Sequence, residues 1–183
     1  MQKIVLENMI AYKECLGEMV NFYHLKGSIS SLNDDLILEL SDDIELPSKE
    51  EMINKLKECF YFHKKQELEK VINQICDTKI LEGFNSDALG SLHHYDMRLE
   101  DQLNINALAS ANLGSPFRCA KVLEDNTLGP KTYKEHTKAE IRKVFADGLR
   151  FKSEILNFYG AEKERLYQID SLEELQNFEI KEI

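Results

Sequence analysis

Gly83-Phe84-Asn85-Ser86-Asp87-Ala88-Leu89-Gly90-Ser91-Leu92-His93-His94-Tyr95-Asp96 is the stretch that separates an all-helical reading of this chain from a mixed one. Upstream of it, apolar residues recur every three or four positions. Within it that spacing fails, and Gly, Asn, Ser and Asp gather at its centre, which reads as a hairpin or an irregular loop. Residues 117–135 give a second signal of the same kind. Phe117, Cys119 and Lys121-Val122-Leu123 run into the turn residues Asp125-Asn126-Thr127-Leu128-Gly129-Pro130, and Lys131-Thr132-Tyr133 run out. With helical segments on either side, the expected fold class is α+β, mostly α-helical, with helices packed around or beside one or two small β-hairpins.

Working towards the N-terminus, Ser48 and Glu51 stand three residues apart ahead of an apolar run, the signature of a capping box. A helix over residues 48–81 would be about 50 Å long at 1.5 Å per residue, so it either protrudes or breaks near Lys64-Lys65. Met52, Leu56 and Phe60 share one of its faces, which reads either as core packing within the chain or as the expected partner-binding face. Residues 3–25 read as a first helix, because Val5, Met9, Tyr12, Leu16, Met19, Val20 and Tyr23 recur at helical spacing, with Gly27 as a stop. Residues 28–47 read as a linker in which Asn33-Asp34-Asp35 and Ser41-Asp42-Asp43 flank a short strand, Leu36-Ile37-Leu38-Glu39-Leu40. The expected domains are therefore 1–47, an N-terminal helix and acidic linker, and 48–183.

Towards the C-terminus, residues 98–113 form a helix bearing Leu99, Leu103, Ala107, Leu108 and Ala111, ended by Gly114-Ser115-Pro116. Thr137 and Glu140 make a second capping box. The helix that follows carries Gly148 in its middle, which costs about 1 kcal/mol against Ala and signals the close approach of another element. Gly160 reads as an end or a kink, and Ser171 with Glu174 caps a short terminal helix.

Composition narrows the function classes. A hydrophobic fraction of 43% over 183 residues supports a true core. The formal charge of −10 argues against general nucleic-acid binding and against docking on anionic lipid, both of which need clustered Lys and Arg. Residues 1–50 carry 10 acidic and 4 basic side chains, so −6 of that charge sits there. The opening Met1-Gln2-Lys3-Ile4-Val5-Leu6-Glu7 does not read as a signal peptide, and no run of about 18 apolar residues suggests a membrane span. Cys15, Cys59, Cys76 and Cys119 are widely spaced without a C-x-x-C, which fits reduced thiols in a cytoplasm.

His93, His94, Tyr95, Asp96, Asp101, Gln102, Asn104 and His136 are the densest polar residues in the chain. As chemistry, His and Asp would ligate a metal or pair a base with its orienter. The H-H-x-D spacing fits neither, so the structural reading is preferred: Asp96 as N-cap of the helix that follows, Gln102 and Asn104 satisfying loop backbone, and His136 packing ahead of the Thr137 cap. Cys59 and His63, four residues apart on one helix face, would suit a metal, but no second pair stands at a suitable spacing, so core packing is preferred there too. No Gly-rich phosphate loop and no G-x-S-x-G is present. The expectation is a protein with no catalytic residues, no metal and no cofactor.

A resemblance supplies context. Gly83-Phe84, Ser86-Asp87-Ala88-Leu89-Gly90, His93-His94-Tyr95-Asp96, Asp101-Gln102-Leu103-Asn104, Phe117-Arg118-Cys119, His136-Thr137, Val144 with Asp147-Gly148, and Ser171-Leu172-Glu173-Glu174-Leu175 stand in order over about residues 62–183. In this the chain resembles a family of phage and prophage proteins encoded beside tail fibres and tail-fibre assembly proteins, which carries a conserved domain of unknown function. It departs from that family in lacking its hairpin Trp, with Tyr133 in a comparable place, and in having Glu140 where Gln is usual. The resemblance implies a tail-associated protein acting by protein–protein contact on a phage tail or tail-fibre protein, in the host cytoplasm or the virion tail, with self-association left open. The alternative is an acidic prophage-encoded modulator of a basic host protein; a metal-dependent enzyme using His93, His94, Asp96 and His136 ranks last.

Overall fold

The computed structural model describes residues 1–41 and 45–183. The protein is α+β, 52% helical and 21% strand, with its strands in two small separate sheets and not in one large one. The described residues divide into two compact units, Met1–Glu69 with Leu166–Glu179, and Lys70–Arg165 with Ile180–Ile183. The division falls inside a helix and not at Pro47, because the N-terminal sheet and the first turns of the long helix build one core.

In the first unit, β1 (Gln2–Leu6) and β2 (Gly27–Leu32) flank a central β3 (Asp35–Leu40), both antiparallel to it. β3 alternates strictly: Leu36, Leu38 and Leu40 are buried and Asp35, Ile37 and Glu39 point the other way. The expected helix over 3–25 is thus mostly replaced. Ile4-Val5-Leu6 form a strand whose Val5 pairs with Ile37. Asn8 then turns the chain in the left-handed region (φ 57°), its N–H donating to Asp35 Oδ1 at 2.9 Å. A 3-10 segment (Ile10–Cys15) and the short α1 (Leu16–Phe22) are what remains of the helix. The helical spacing was real only from Leu16 onward; before it, β-branched residues and a complementary strand prevail. The expected linker is likewise a hairpin, with Asn33 (φ 54°) in the turn between β2 and β3. Of the second acidic turn cluster, Asp42 and Asp43 lie outside the described residues.

α2 (Lys49–Leu81) is continuous and passes through Lys64-Lys65, where a break was one of the two expectations, without one. Its capping box forms: the Ser48 N–H donates to Glu51 Oε2 at 2.8 Å and the Glu51 N–H donates to Ser48 Oγ at 3.2 Å. Met52 and Leu56 are fully buried in the same cluster as Leu36, Leu38 and Leu40, with Phe60 half-buried against it. The expected partner face is therefore core, since the sheet over residues 2–40 covers it. Lys65 donates from Nζ to the carbonyls of Tyr167 (3.1 Å) and Ile169 (2.9 Å), and Ile169 O also accepts from the Tyr61 hydroxyl. α5 (Leu172–Gln176) follows, with the Glu174 N–H donating to Ser171 Oγ at 3.2 Å as the sequence predicted.

The second unit holds a four-stranded antiparallel sheet in the order β4-β5-β6-β7: β4 (Phe84–Ser86), β5 (His93–Tyr95), β6 (Ser115–Lys121) and β7 (Thr132–His136). Both predicted hairpins are present and join edge to edge through His94 and Ala120. α3 (Leu99–Ala111) and most of α4 (Lys138–Tyr167) accompany it. The Thr137–Glu140 capping box forms in both directions. α4 runs on through Gly160, so that glycine does not end the helix.

Two glycines set the packing of β4. Gly83 has φ +87°, and a Cβ there would stand 2.4 Å from the Tyr95 carbonyl oxygen. A Cβ on Gly148 would stand 2.9 Å from Cζ of Phe84, which is the close approach that the mid-helix glycine signalled. Beside it, Ser86 Oγ donates to Asp147 Oδ2 at 2.6 Å, so neighbouring residues of α4 hold alternate residues of β4.

Gly83→Ala is expected to destabilise the protein by about 2–3 kcal/mol, from the left-handed conformation together with the backbone clash. Met52→Ala, in the covered core, is expected to cost about 2–5 kcal/mol. Urea unfolding of each purified variant measures both, and a Met52→Ala protein as stable as the parent would mean that this face is open after all.

Candidate functional site

An open apolar surface of the second unit lies between α3 and α4. α3 puts only Ile105 into the core, while Leu99 and Leu103, one turn apart, are 65% and 59% exposed. On α4, Val144 is buried and Leu149 is 50% exposed. Phe84 and Met97, both buried, close the floor. The result is a groove of about 260 Å³ whose lining is mostly apolar. Gly148 shapes it indirectly, because its missing side chain leaves room for the Phe84 ring.

The polar groups at its rim are already oriented. Lys152 Nζ donates to Gln102 Oε1 at 2.7 Å, and Gln102 Nε2 donates to the Met97 carbonyl at 2.8 Å. Both ends of the Gln102 amide are thereby used, and the ammonium is held at the mouth. Gln102 serves loop backbone as the sequence predicted. Leu99 and Leu103 are part of an apolar stripe that sequence reasoning read simply as a helix face. Periodicity shows that a helix has such a face; it does not show what covers it.

The other residues singled out from sequence do not converge on one site. Asp101 and Asn104 lie on a different concavity of about 470 Å³, with Arg118 and Tyr133. His93 donates from Nδ1 to the Ser91 carbonyl at 2.8 Å, and His94 from Nδ1 to Asn85 Oδ1 at 3.0 Å, inside the hairpin. Burial pushes the His94 imidazole below its ordinary value, although Asp96 opposes this. His136 does not join either histidine. Its Nδ1 donates to the Lys134 carbonyl at 2.7 Å, which leaves Nε2 of the neutral ring to accept from the Tyr95 hydroxyl at 2.9 Å. Burial raises the Tyr95 hydroxyl well above its ordinary value, so it remains a donor. None of His93, His94, Asp96 and His136 belongs to a group of three convergent metal-binding side chains among the described residues.

Asp96 is not the N-cap of α3. The cap position is Arg98, with no side-chain cap bond, because α3 starts at Leu99. The carboxylate instead takes Lys131 Nζ at 2.5 Å and Arg118 at 3.1 Å. Burial alone would raise its pKa, but the two cations outweigh that and hold it below the ordinary 3.8. A depressed carboxylate stabilises the fold above its unfolded value, and that contribution is lost as pH falls through the folded value. Asp96→Asn is expected to cost about 1–2 kcal/mol at neutral pH. The gap from the parent should close as acid protonates Asp96, and urea unfolding across the acid range checks this; a gap that is constant with pH would assign the loss to packing.

No known protein family, curated protein or solved structure matches this chain in comparisons by family, by sequence and by fold.

Proposed function

We propose that this protein acts by protein–protein contact, and that the groove between α3 and α4 receives apolar side chains of the partner. One observation carries the reading: Leu99, Leu103 and Leu149 stand half or more exposed around a common apolar floor. Leaving each in water forgoes about 1 kcal/mol of burial, so a partner that covers all three gains several kcal/mol from them alone. That is enough for a hot spot and too little for a whole interface, so flanking contacts add to it. The ammonium of Lys152 at the rim favours a segment with an acidic or carbonyl-rich flank. The proposed contact is thus on α3 and α4 and not on the Met52–Phe60 stripe.

The partner class comes from the resemblance over residues 62–183: a phage tail or tail-fibre protein, with this chain as an assembly factor or a minor tail component. No described helix is long and apolar enough to cross a membrane, which is compatible with that setting.

Leu103→Glu and Leu149→Glu place a charge on an exposed position and should leave thermal unfolding nearly unchanged. Each is expected to weaken co-purification with the tail-fibre protein of the same phage by more than about 10-fold, equivalent to 1.4 kcal/mol. Undiminished binding by both variants would remove the groove from the interface. Binding that survives these changes but weakens sharply as salt is raised would favour recognition of a basic partner by the acidic surface.

A further inference from the structure

Cys15, Glu18, Cys59 and His63 meet in the first unit, from three elements. Cys15 closes the 3-10 segment and Glu18 lies three residues on, in α1; Cys59 and His63 lie four apart on α2. Each pair thus presents both side chains from one helical face. Cys15 and Glu18 are the second pair that the sequence reading did not find for Cys59 and His63. The donor atoms of Cys15, Cys59 and His63 lie within 4.8 Å of one another. Cys59 Sγ is 3.0 Å from Glu18 Oε2 and 4.0 Å from His63 Nε2, and His63 Nε2 is 2.7 Å from Glu18 Oε1.

We propose that these four side chains form a zinc site, with two thiolates, an imidazole and a carboxylate as ligands. The donor types suit zinc, which takes Cys, His and carboxylate ligands in tetrahedral sites. Zinc bonds of about 2.3 Å to sulfur and 2.0–2.1 Å to nitrogen imply donor–donor edges of roughly 3.3–3.8 Å. The separations of 2.7, 3.0 and 4.0 Å bracket that range, the two short ones being the contacts of Glu18 that an ion would part. Closing the cluster on an ion needs only small movements of side-chain ends.

A packing role explains the group less well. A structural cysteine behaves as a small hydrophobe among apolar neighbours. Here the Cys59 thiol faces a carboxylate, with an imidazole beside it, and Cys15 is the one fully buried member. Access is provided for: His63 and Glu18 have side chains 41% and 58% exposed, and a cavity of about 250 Å³ lined in part by Glu14, Cys15 and His63 adjoins them. On binding, two S–H bonds give way to two S–Zn bonds, and both protons leave to water. The imidazole binds through Nε2 in its neutral form. The bound ion ties the 3-10 segment and α1 to α2, across the edge of the first unit's core. The partner-binding groove belongs to the second unit, so this site stands or falls independently of it.

The test uses the full-length protein, purified under reducing conditions, titrated with zinc against a chromophoric chelator and separately with cobalt. The expected result is one ion per chain, a thiolate-to-cobalt charge-transfer band with tetrahedral d–d bands, and a higher unfolding temperature with zinc. Cys59→Ser should weaken binding more than about 100-fold, and Glu18→Gln by about 10-fold or more. Because replacing buried cysteines risks the fold, His63→Ala, at a half-buried position, is the decisive variant: it should fold, lose the ion and lose the thermal shift. Cys76→Ser, in the second unit, should bind as the parent does. A reduced parent without zinc affinity, a cobalt complex without the thiolate band, or undiminished binding by His63→Ala would each overturn the site. Rapid formation of a Cys15–Cys59 disulfide by a protein without metal affinity would make the pair a redox couple instead.

Discussion

The hydroxyl of Tyr95 has to find a partner inside the second unit, and much of that unit is arranged around the one it finds. The side chain is fully buried, with its ring stacked on Phe84 on one side and Phe117 on the other, at centroid distances of 5.6 and 6.3 Å. A buried hydroxyl without a hydrogen bond costs on the order of 1–3 kcal/mol. His136 supplies the acceptor, and it can do so only because the Lys134 carbonyl fixes its tautomer. Tyr95 is on β5 and His136 ends β7, so one hydrogen bond crosses the sheet from the first hairpin to the last strand. The Thr137 cap begins at the next residue, and α4 is thereby aimed from the same point. Phe84 in turn needs the space that Gly148 leaves, which draws β4 onto α4.

Local chemistry was legible in the sequence wherever both partners are close along the chain. The capping boxes at Ser48 and Thr137 span three residues and form as read. The hairpins announce themselves through turn residues, and Gly148 through its cost in a helix. What was not legible depends on distant partners. Val5 lies at a spacing that suits a helix with Met9 and a strand with Ile37, and only the presence of β3 decides between them. Asp96 has the composition of a cap, but its cations come from 22 and 35 residues away. Met52-Leu56 and Leu99-Leu103 are equivalent as patterns, two apolar residues one helical turn apart. One pair is core and the other is open, because a three-stranded sheet covers the first. The same holds for the thiols: Cys59 and His63 are neighbours on any helical wheel, whereas Glu18 is 41 residues upstream of Cys59.

The two surfaces of interest are built on different physical terms. The groove offers dispersion and water release, with one oriented ammonium at its rim. In the proposed contact, selection rests on shape and on that ammonium. The cluster around Cys59 offers soft donors held by a core, and its selectivity comes from ligand type and spacing. Burial raises both the Cys15 and the Cys59 thiols, so without an ion they stay protonated, and Cys59 donates to Glu18.

The interleaving of the two units governs the order in which this protein can be completed during synthesis. Unit one draws on residues up to Glu69 and then on Leu166–Glu179, while unit two takes the intervening stretch and Ile180–Ile183. Tyr61 and Lys65 wait for the Ile169 carbonyl across more than a hundred positions, and the Glu162 carboxylate waits for the Lys181 N–H. A ribosome therefore cannot hand over the first unit finished and then begin the second. The N-terminal sheet can collapse early on Met52 and Leu56, but its closing segment leaves the exit tunnel only after nearly the whole second unit. No single cut in the chain releases either unit intact, because the chain crosses between them more than once.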